Sequence, residues 1–391
     1  MPVGNDFLQG VIAAYETVIT VMAGIYIHIP FCKSKCTYCD FASFPKEIGK
    51  AEAYFACLYK EIKGRSESLK GKKFNTVYFG GGTPSFVDAK FIYGAMNALA
   101  RDYGISENAE ITLEVNPGTI DEEKLKTYRL SGINRFSVGL QSSNDETLRK
   151  INRIHNYSDF CRAMELLSDF NTSVDVMIGL PGETEKDVIK SIDDALKFKN
   201  VKHLSLYALT PEEGTPMYTN YLNGELLSQD EVAEIYDAAR DHLKSKGFLR
   251  YEVSNFAVPG YESRHNLNYW RRGEYIGFGV GASSFISGRR FTNTESIDEY
   301  VHAVLAGKVA EVFSEEVSGK DAKQEYAMLA LRTAAGVNFN EYRRAFKSDF
   351  AADFKPAIRK NEKYLDVTDS GVKIKDEYLY VQNSILVDFI G

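Results

Sequence analysis

Cysteine is scarce, five residues in 391, which rules out a disulfide framework for a chain of this length. Proline occurs only ten times and tryptophan once, so proline-rich, extended architectures are excluded as well. An excess of positive charge is also missing. Forty-seven Lys and Arg stand against 54 Asp and Glu, a formal charge of −7, the wrong sign for a protein whose main task is to neutralise phosphates. No Lys or Arg precedes Lys33, so the amino terminus lacks the basic region of a secretory signal. Long apolar runs are few. The best one, residues 11–27, contains Glu16 and is followed by His28, which argues against a membrane span and leaves an anchor as the minor alternative. A cytoplasmic protein without nucleic acid as partner is expected.

What the chain does have is an ordinary globular composition, 44% hydrophobic and 26% charged, with 24 Tyr and 24 Phe. That excludes disorder and supplies large side chains for a core or for planar ligands. Its length corresponds to about two to three domains. Short β-branched and aromatic runs at 24–29, 76–79, 111–115, 135–138, 174–178 and 203–209 predict buried strands. Between them, 51–62, 91–103, 122–130, 159–170 and 186–198 have helical spacing and suffice for crossovers. Six consecutive βα units predict an α/β fold with a parallel sheet, a doubly wound sheet or an incomplete barrel. A helix at 229–246 ends at Gly247, 251–291 is loop-rich, and helices at 320–333 and 340–360 lead to strand-like runs at 364–367 and 378–381, a winged-helix-like tail.

The unusual residues follow the strands. Cys32, Cys36 and Cys39 come after the first, the Gly80-Gly81-Gly82-Thr83-Pro84 run after the second, and Glu114 closes the third. Gln141 follows the fourth, Gly179 to Glu183 the fifth, and Thr210 to Pro216 the sixth. Ligand sites of barrels and open parallel sheets form at that edge. Three thiols within eight residues point to metal or redox chemistry: three irons of a 4Fe-4S cluster with the fourth left open. A Cys₃His zinc site using His28, or unligated thiols, remain the alternatives. The triple glycine is neither a dinucleotide fingerprint nor a Walker loop, but it permits close backbone approach. Asp175 lies inside an apolar strand and requires a partner, Arg153 or a ligand group. Cys57 and Cys161 are expected to be packed thiols.

The Cys-x₃-Cys-x₂-Cys spacing with Tyr-x-His-Ile-Pro-Phe before it resembles the HemN-like branch of the radical S-adenosylmethionine superfamily, over residues 22–385. The resemblance implies a partial (βα)₆ barrel with a small C-terminal helical and winged-helix-like domain. It also implies a 4Fe-4S cluster on Cys32, Cys36 and Cys39 whose open iron chelates S-adenosylmethionine and reduces it to a 5′-deoxyadenosyl radical. Tyr26, Tyr38, Gly81, Gly82, Thr83, Glu114, Gln141, Arg153, Asp175 and Ala208 are the implied S-adenosylmethionine contacts. Coproporphyrinogen III oxidases of the branch have a fourth Cys where this chain has Phe41, and a longer arm before the cluster, whereas Met22 looks like a natural start. The run Arg264-His265-Asn266-Leu267-Asn268-Tyr269-Trp270 matches instead the His-Asn-x-x-Tyr-Trp signature of the HemW-type haem-chaperone group. That implies haem as bound cargo on His265, Asn266, Tyr269 and Trp270, with His265 as axial ligand alone or with Tyr269. The Ala-His often found later in the group is Ala282-Ser283 here, so no ligand comes from that position. The run 325–332 resembles the C-terminal domain of the branch.

The expected division is an extension at 1–21, the barrel at 22–250, a linking segment with the haem motif at 251–310 and the C-terminal domain at 311–391. Expected partners are haem or another tetrapyrrole, haem-accepting proteins such as those of respiratory chains, and an electron donor, with room for peripheral membrane association. If the chain is catalytic, the resemblance implies an oxidoreductase acting on coproporphyrinogen. A radical methylase or cyclopropanase is a third reading.

Overall fold

The computed structural model describes residues 23–391; the extension at 1–21, Met22 and the greater part of the apolar run at 11–27 lie outside the described residues. Six parallel strands form in the order of the chain: β1 (Ala23–Ile29), β2 (Lys73–Gly81), β3 (Gly104–Val115), β4 (Arg135–Gln141), β5 (Asn171–Ile178) and β6 (Val201–Ala208). The crossovers carry α1 (Ala51–Arg65), α2 (Ala89–Asp102), α3 (Glu122–Leu130), α4 (Asp145–Lys150), α5 (Tyr157–Leu166) and α6 (Glu185–Leu196). Helix starts are fixed by side-chain caps, among them Asp88, Asp121 and the Asn156/Asp159 capping box. The six βα units match the sequence expectation, and β1 and β6 do not pair, as in a partial barrel.

Strand alternation separates two faces. Ile25, Ile27, Val77, Phe79, Leu113, Phe136, Val138, Val174, Val176, Leu204 and Leu206 are buried in one apolar core with the helices. The alternate positions are polar and meet across the ladders: Tyr26 opposite Tyr78, Glu114 opposite Ser137, Asp175 opposite Ser205. The barrel interior is therefore lined for ligands and the exterior for packing.

After α7 (Pro216–Leu222) and α8 (Gln229–Ser245), the stretch expected to be loop-rich contributes strands to the same sheet. The pair β7 (Leu249–Arg250) and β8 (Asn255–Ala257) covers the β6 edge, antiparallel. Then α9 (Arg264–Trp270) leads into β9 (Glu274–Phe278), which runs parallel to β1 on its free side, followed by β10 (Ser283–Ile286) and β11 (Arg289–Asn293). Beyond α10 (Ile297–Leu305), β12 (Glu311–Glu316) completes this edge. These strands are short and interrupted by Gly and charge, so they lack the apolar runs that marked the first six. Glu61 on α1 holds the edge in place, accepting from the Gly279 amide at 2.9 Å, Asn293 Nδ2 at 2.8 Å and the Tyr300 hydroxyl at 2.7 Å.

The tail begins with α11 (Gly319–Ala330) and has its own core around Tyr342, Phe350 and Phe389. Strand β13 (Val337–Asn338) is followed by three short helices, α12 (Phe339–Phe346), α13 (Phe350–Asp353) and α14 (Lys355–Lys360), in place of the single helix expected at 340–360. The break falls at Lys347, whose φ is +53°. The hairpin is β14 (Leu365–Val367) with β15 (Gly371–Ile374), and not with 378–381. Val372 and Ile374 alternate with exposed Lys373, a strand pattern too short to stand out, while 378–381 turn into α15 (Asn383–Ile390). Among the described residues, no helix is long and apolar enough to cross a membrane.

Candidate functional site

The three thiols lie on the loop that leaves β1, and both ends of the loop are tied back. His28 Nε2 bonds the Ala42 carbonyl at 2.8 Å, and the Phe44 amide donates to the Pro30 carbonyl at 2.7 Å. In between, the Thr37 amide donates to Ile151 O at 3.2 Å and Asn152 Nδ2 to Lys35 O at 2.8 Å. Cys32, Cys36 and Cys39 are all free. Each sulfur has its own polar neighbour: the Thr83 hydroxyl donates to Cys32 Sγ at 3.5 Å, Arg153 Nη1 donates to Cys36 Sγ at 3.6 Å, and Ser43 Oγ is 3.7 Å from Cys39 Sγ. A Cβ at position 82 would stand 2.9 Å from Cys32 Sγ, so glycine is what lets the second strand's loop approach the first. Donors aimed at three clustered thiols are the surroundings that thiolates bound to an iron-sulfur cluster use, and the residues fit that group. Burial holds the Cys32 and Cys39 thiols above their ordinary value, a cost that bonding to metal removes. The Cys₃His alternative loses its fourth ligand: both ring nitrogens of His28 are engaged, Nε2 by Ala42 and Nδ1 by the Tyr26 hydroxyl at 3.0 Å.

Glu114 ends β3 inside the barrel. The Tyr78 hydroxyl donates to its Oε1 at 2.8 Å and the Gly81 amide to its Oε2 at 3.2 Å. Burial pushes its carboxyl up to about 7. Gly81 has a φ of +115°, and a Cβ there would meet the His28 ring at 2.6 Å. Gln141 has a φ of +67° where β4 ends, beside Arg153, whose Nη2 donates to Gly139 O at 2.7 Å. Asp175 is not paired with Arg153: it accepts from the Ser137 hydroxyl at 3.2 Å, and burial pushes its carboxyl up to about 6. Small neighbouring hydroxyls thus take the place of the ion pair with Arg153 that the sequence reading offered as one alternative. Tyr38 packs against the small cluster containing Leu148, Ile151 and Met217, and Ala208 closes β6 opposite Ile178.

The signature helix α9 sits against β1, β2 and β9. The Glu110 carboxylate on β3 accepts from the Arg264 and His265 amides at its first turn, at 3.2 and 3.0 Å. His265 is 1% exposed and both ring nitrogens are occupied, Nδ1 by the Thr76 hydroxyl and Nε2 by the Tyr269 hydroxyl, each at 2.8 Å. Its ring stacks on Tyr78 with centroids 5.0 Å apart. Burial lowers its pKa to about 3, so it is neutral near pH 7. In this conformation both nitrogens of His265 are engaged, and Tyr269 of the same helix reaches the adjoining cavity. Asn266 and Trp270 are half-buried and do not line the adjoining cavity.

That cavity, about 590 Å³, joins the two regions. Tyr26, Gly81 and Glu114 line it from the barrel, Asp40 and Phe41 from the cysteine loop, Tyr269 and Arg272 from α9 and the turn after it, and Tyr275, Ser283, Phe285, Arg290, Glu325 and Leu329 from the added strands and α11. Its aromatic rings surround a space of the size that takes a cofactor. Sequence reasoning missed Tyr78, Glu110, Tyr275, Phe285 and the charged group Arg272, Arg290 and Glu325. Of these only Tyr78 carried a signal, as a polar-tipped ring two positions before the triple glycine.

The model of the radical SAM superfamily matches residues 26–195. A Lactococcus lactis protein described as heme chaperone HemW is 32% identical over 372 residues, covering 93% of this chain and 96% of that one. A Bacillus subtilis protein of the same description is 32% identical over 381 residues, 95% and 100% of the two chains. Among solved structures, coproporphyrinogen III oxidase (HemN) from Escherichia coli superposes with a TM-score of 0.82 over 98% of this chain and 92% of its own, at 22% identity, a likeness of fold.

Proposed function

The chain belongs to the HemW family of heme chaperones within the radical SAM superfamily, and from that premise we propose that it binds haem in the cavity beside α9 and hands it to haem-accepting proteins. A 4Fe-4S cluster and S-adenosylmethionine are the cofactors of that superfamily. Cys32, Cys36 and Cys39 are the residues to hold the cluster, with Thr83, Ser43 and Arg153 directed at their sulfurs. When bound, the cluster supplies an open iron and one-electron chemistry beside the strand ends. We assign S-adenosylmethionine to the wall made by Tyr26, Tyr38, Gly81, Gly82, Thr83, Glu114, Gln141, Arg153, Asp175 and Ala208. There Glu114, whose carboxyl burial pushes up to about 7, would accept a hydrogen bond from an ammonium group.

One observation carries the haem reading: Tyr269, from the signature helix, and Glu114, from the cofactor wall, line the same aromatic cavity. Tyr26, Tyr275 and Phe285 offer it flat apolar faces, and Tyr269 lines it with its hydroxyl bonded to His265 Nε2 at 2.8 Å, so that one hydrogen bond is the point at which either signature side chain turns toward iron. His265 supports Tyr269 from behind. Respiratory-chain haemoproteins as acceptors, an external electron donor and a peripheral association with membranes belong to the same proposal. Phe41, where a coproporphyrinogen oxidase has its fourth Cys, is 65% exposed and lines the cavity.

The test is a haem titration of the anaerobically reconstituted protein, followed by transfer to an apo-cytochrome. Saturable binding and haem appearing in the cytochrome are the expected result. Failure to transfer, with conversion of coproporphyrinogen III in the presence of reductant and S-adenosylmethionine, overturns the chaperone reading in favour of an oxidase.

A further inference from the structure

Two guanidinium groups at the cavity share one carboxylate. Arg272, just after α9, donates from Nε to Glu325 Oε2 at 2.6 Å, and Arg290 on β11 bonds the other oxygen of Glu325 while its Nη1 holds Glu315 at 2.8 Å. Both cations also lie over the Phe285 ring, at 4.6 and 5.5 Å from its centroid. All three partners line the cavity, and Glu325 belongs to α11, the first helix of the C-terminal domain. Arg272 adopts a φ of +55°, a conformation uncommon for a residue with a side chain. Side-chain exposure is only 15% for Arg272 and 13% for Glu325, so the pair is a partly desolvated fork already shaped around a carboxylate.

We propose that Arg272 and Arg290 form the carboxylate subsite of this cavity, that Glu325 fills it in the absence of ligand, and that a tetrapyrrole propionate displaces Glu325 on binding. The inference rests on the haem reading above and adds to it how the ring is oriented and what its arrival does. The aromatic walls take the macrocycle while the two cations take a propionate. Because Glu325 also ties α11 to the sheet, displacing it loosens the contact between the C-terminal domain and the β9–β12 edge. Propionate and Glu325 compete, so weakening either one favours the other.

S-adenosylmethionine also carries a carboxylate, and the experiment separates the two sources. Haem and its propionate dimethyl ester are titrated into the reconstituted full chain in matched detergent, alongside S-adenosylmethionine, for wild type, Glu325→Gln, Arg290→Gln and Arg290→Lys. Removing the competitor in Glu325→Gln should tighten haem binding about fivefold, and losing the fork in Arg290→Gln should weaken it about tenfold, with Arg290→Lys between them. The ester should bind wild type about tenfold more weakly than haem and be insensitive to position 290. Amide exchange across 319–330 should speed up on haem loading. If Arg290→Gln fails to fold, the ester comparison and Arg290→Lys still decide. Equal binding of haem and ester to wild type overturns this subsite and leaves the chaperone reading standing. Parallel losses of S-adenosylmethionine in the Arg290 variants overturn it in favour of a cofactor carboxylate. A wild type that binds no haem at all overturns both.

Discussion

Replacing His265 by Ala separates an internal support from an axial ligand, because the two roles predict damage in different states of the protein. The ring is 1% exposed, hydrogen-bonded at 2.8 Å on both nitrogens and stacked on Tyr78. Alanine leaves the Thr76 hydroxyl, itself 1% exposed, without its partner, a loss of about 1–2 kcal/mol. Tyr269 lines the cavity, so water replaces the imidazole at its hydroxyl and its share is about 0.5 kcal/mol. The vacated ring space and the lost stacking add about 1–2 kcal/mol. The sum, about 3 kcal/mol, applies with no haem present.

Urea unfolding of the reconstituted, haem-free protein is the assay. With an m value of about 3 kcal/mol/M, the midpoint should fall by about 1 M. Tyr269→Phe is the companion: it keeps the ring but leaves His265 Nε2 unpaired, about 1–2 kcal/mol, so its midpoint should fall by about 0.3–0.7 M, less than for His265→Ala, while haem binding weakens. A midpoint for His265→Ala within about 0.2 M of wild type, with haem binding abolished, would refute the support role and restore His265 as ligand.

Replacing Cys32, Cys36 and Cys39 together should abolish the iron-sulfur absorbance and acid-labile sulfide, while replacing Cys57, buried against α10, or Cys161 should leave both intact; a full cluster in the triple variant refutes the assignment. Glu183 gives a pH prediction. Burial raises its carboxyl to about 8 from an unfolded value of 4.5, so its contribution to stability is complete below 4.5 and is lost as pH rises through 8. Glu183→Gln should therefore gain on wild type in urea midpoint from about pH 5 to about pH 8, and parallel midpoints across that range refute it.

The parts of the fold that could be read from the sequence are those whose stabilisation is local in pattern. Each of β1 to β6 carries an apolar alternation long enough to notice, and each helix between them buries one stripe, as α6 does with Val188, Ile192 and Ala195. The cysteine loop, the triple glycine and Glu114 were found because the ladder puts strand ends side by side. What escaped depends on partners distant in sequence. Strand β9 is a five-residue run containing Glu274 and Gly277, and it exists as a strand because β1 has a free edge to pair with. The charges at 272, 290 and 325 drew no site assignment, because nothing in their own segments shows that the fold brings them to one cavity. The histidine of the signature was legible but its hydrogen bond to Thr76 was not, since that partner lies 189 residues away.

That distant partner also explains why the two regions share one wall. Thr76, Tyr78 and Gly80 follow each other on the interior face of β2. Thr76 holds His265, Tyr78 stacks on His265 while its hydroxyl donates to Glu114, and the next residue after Gly80 gives Glu114 its second hydrogen bond. On the neighbouring strand Gly24 leaves room for this stack, for a Cβ there would come within 3.2 Å of the His265 ring. Tyr269, His265, Tyr78 and Glu114 thus form a continuous chain of contacts from the signature helix to the cofactor wall. Moving the imidazole to reach a ligand would withdraw support from both Thr76 and Tyr269, and would unstack the tyrosine that positions Glu114. A rigid connection of this kind favours a cavity whose two sides are set together, so that a ligand engaging the phenol at 269 is felt through the imidazole at Tyr78 and Glu114.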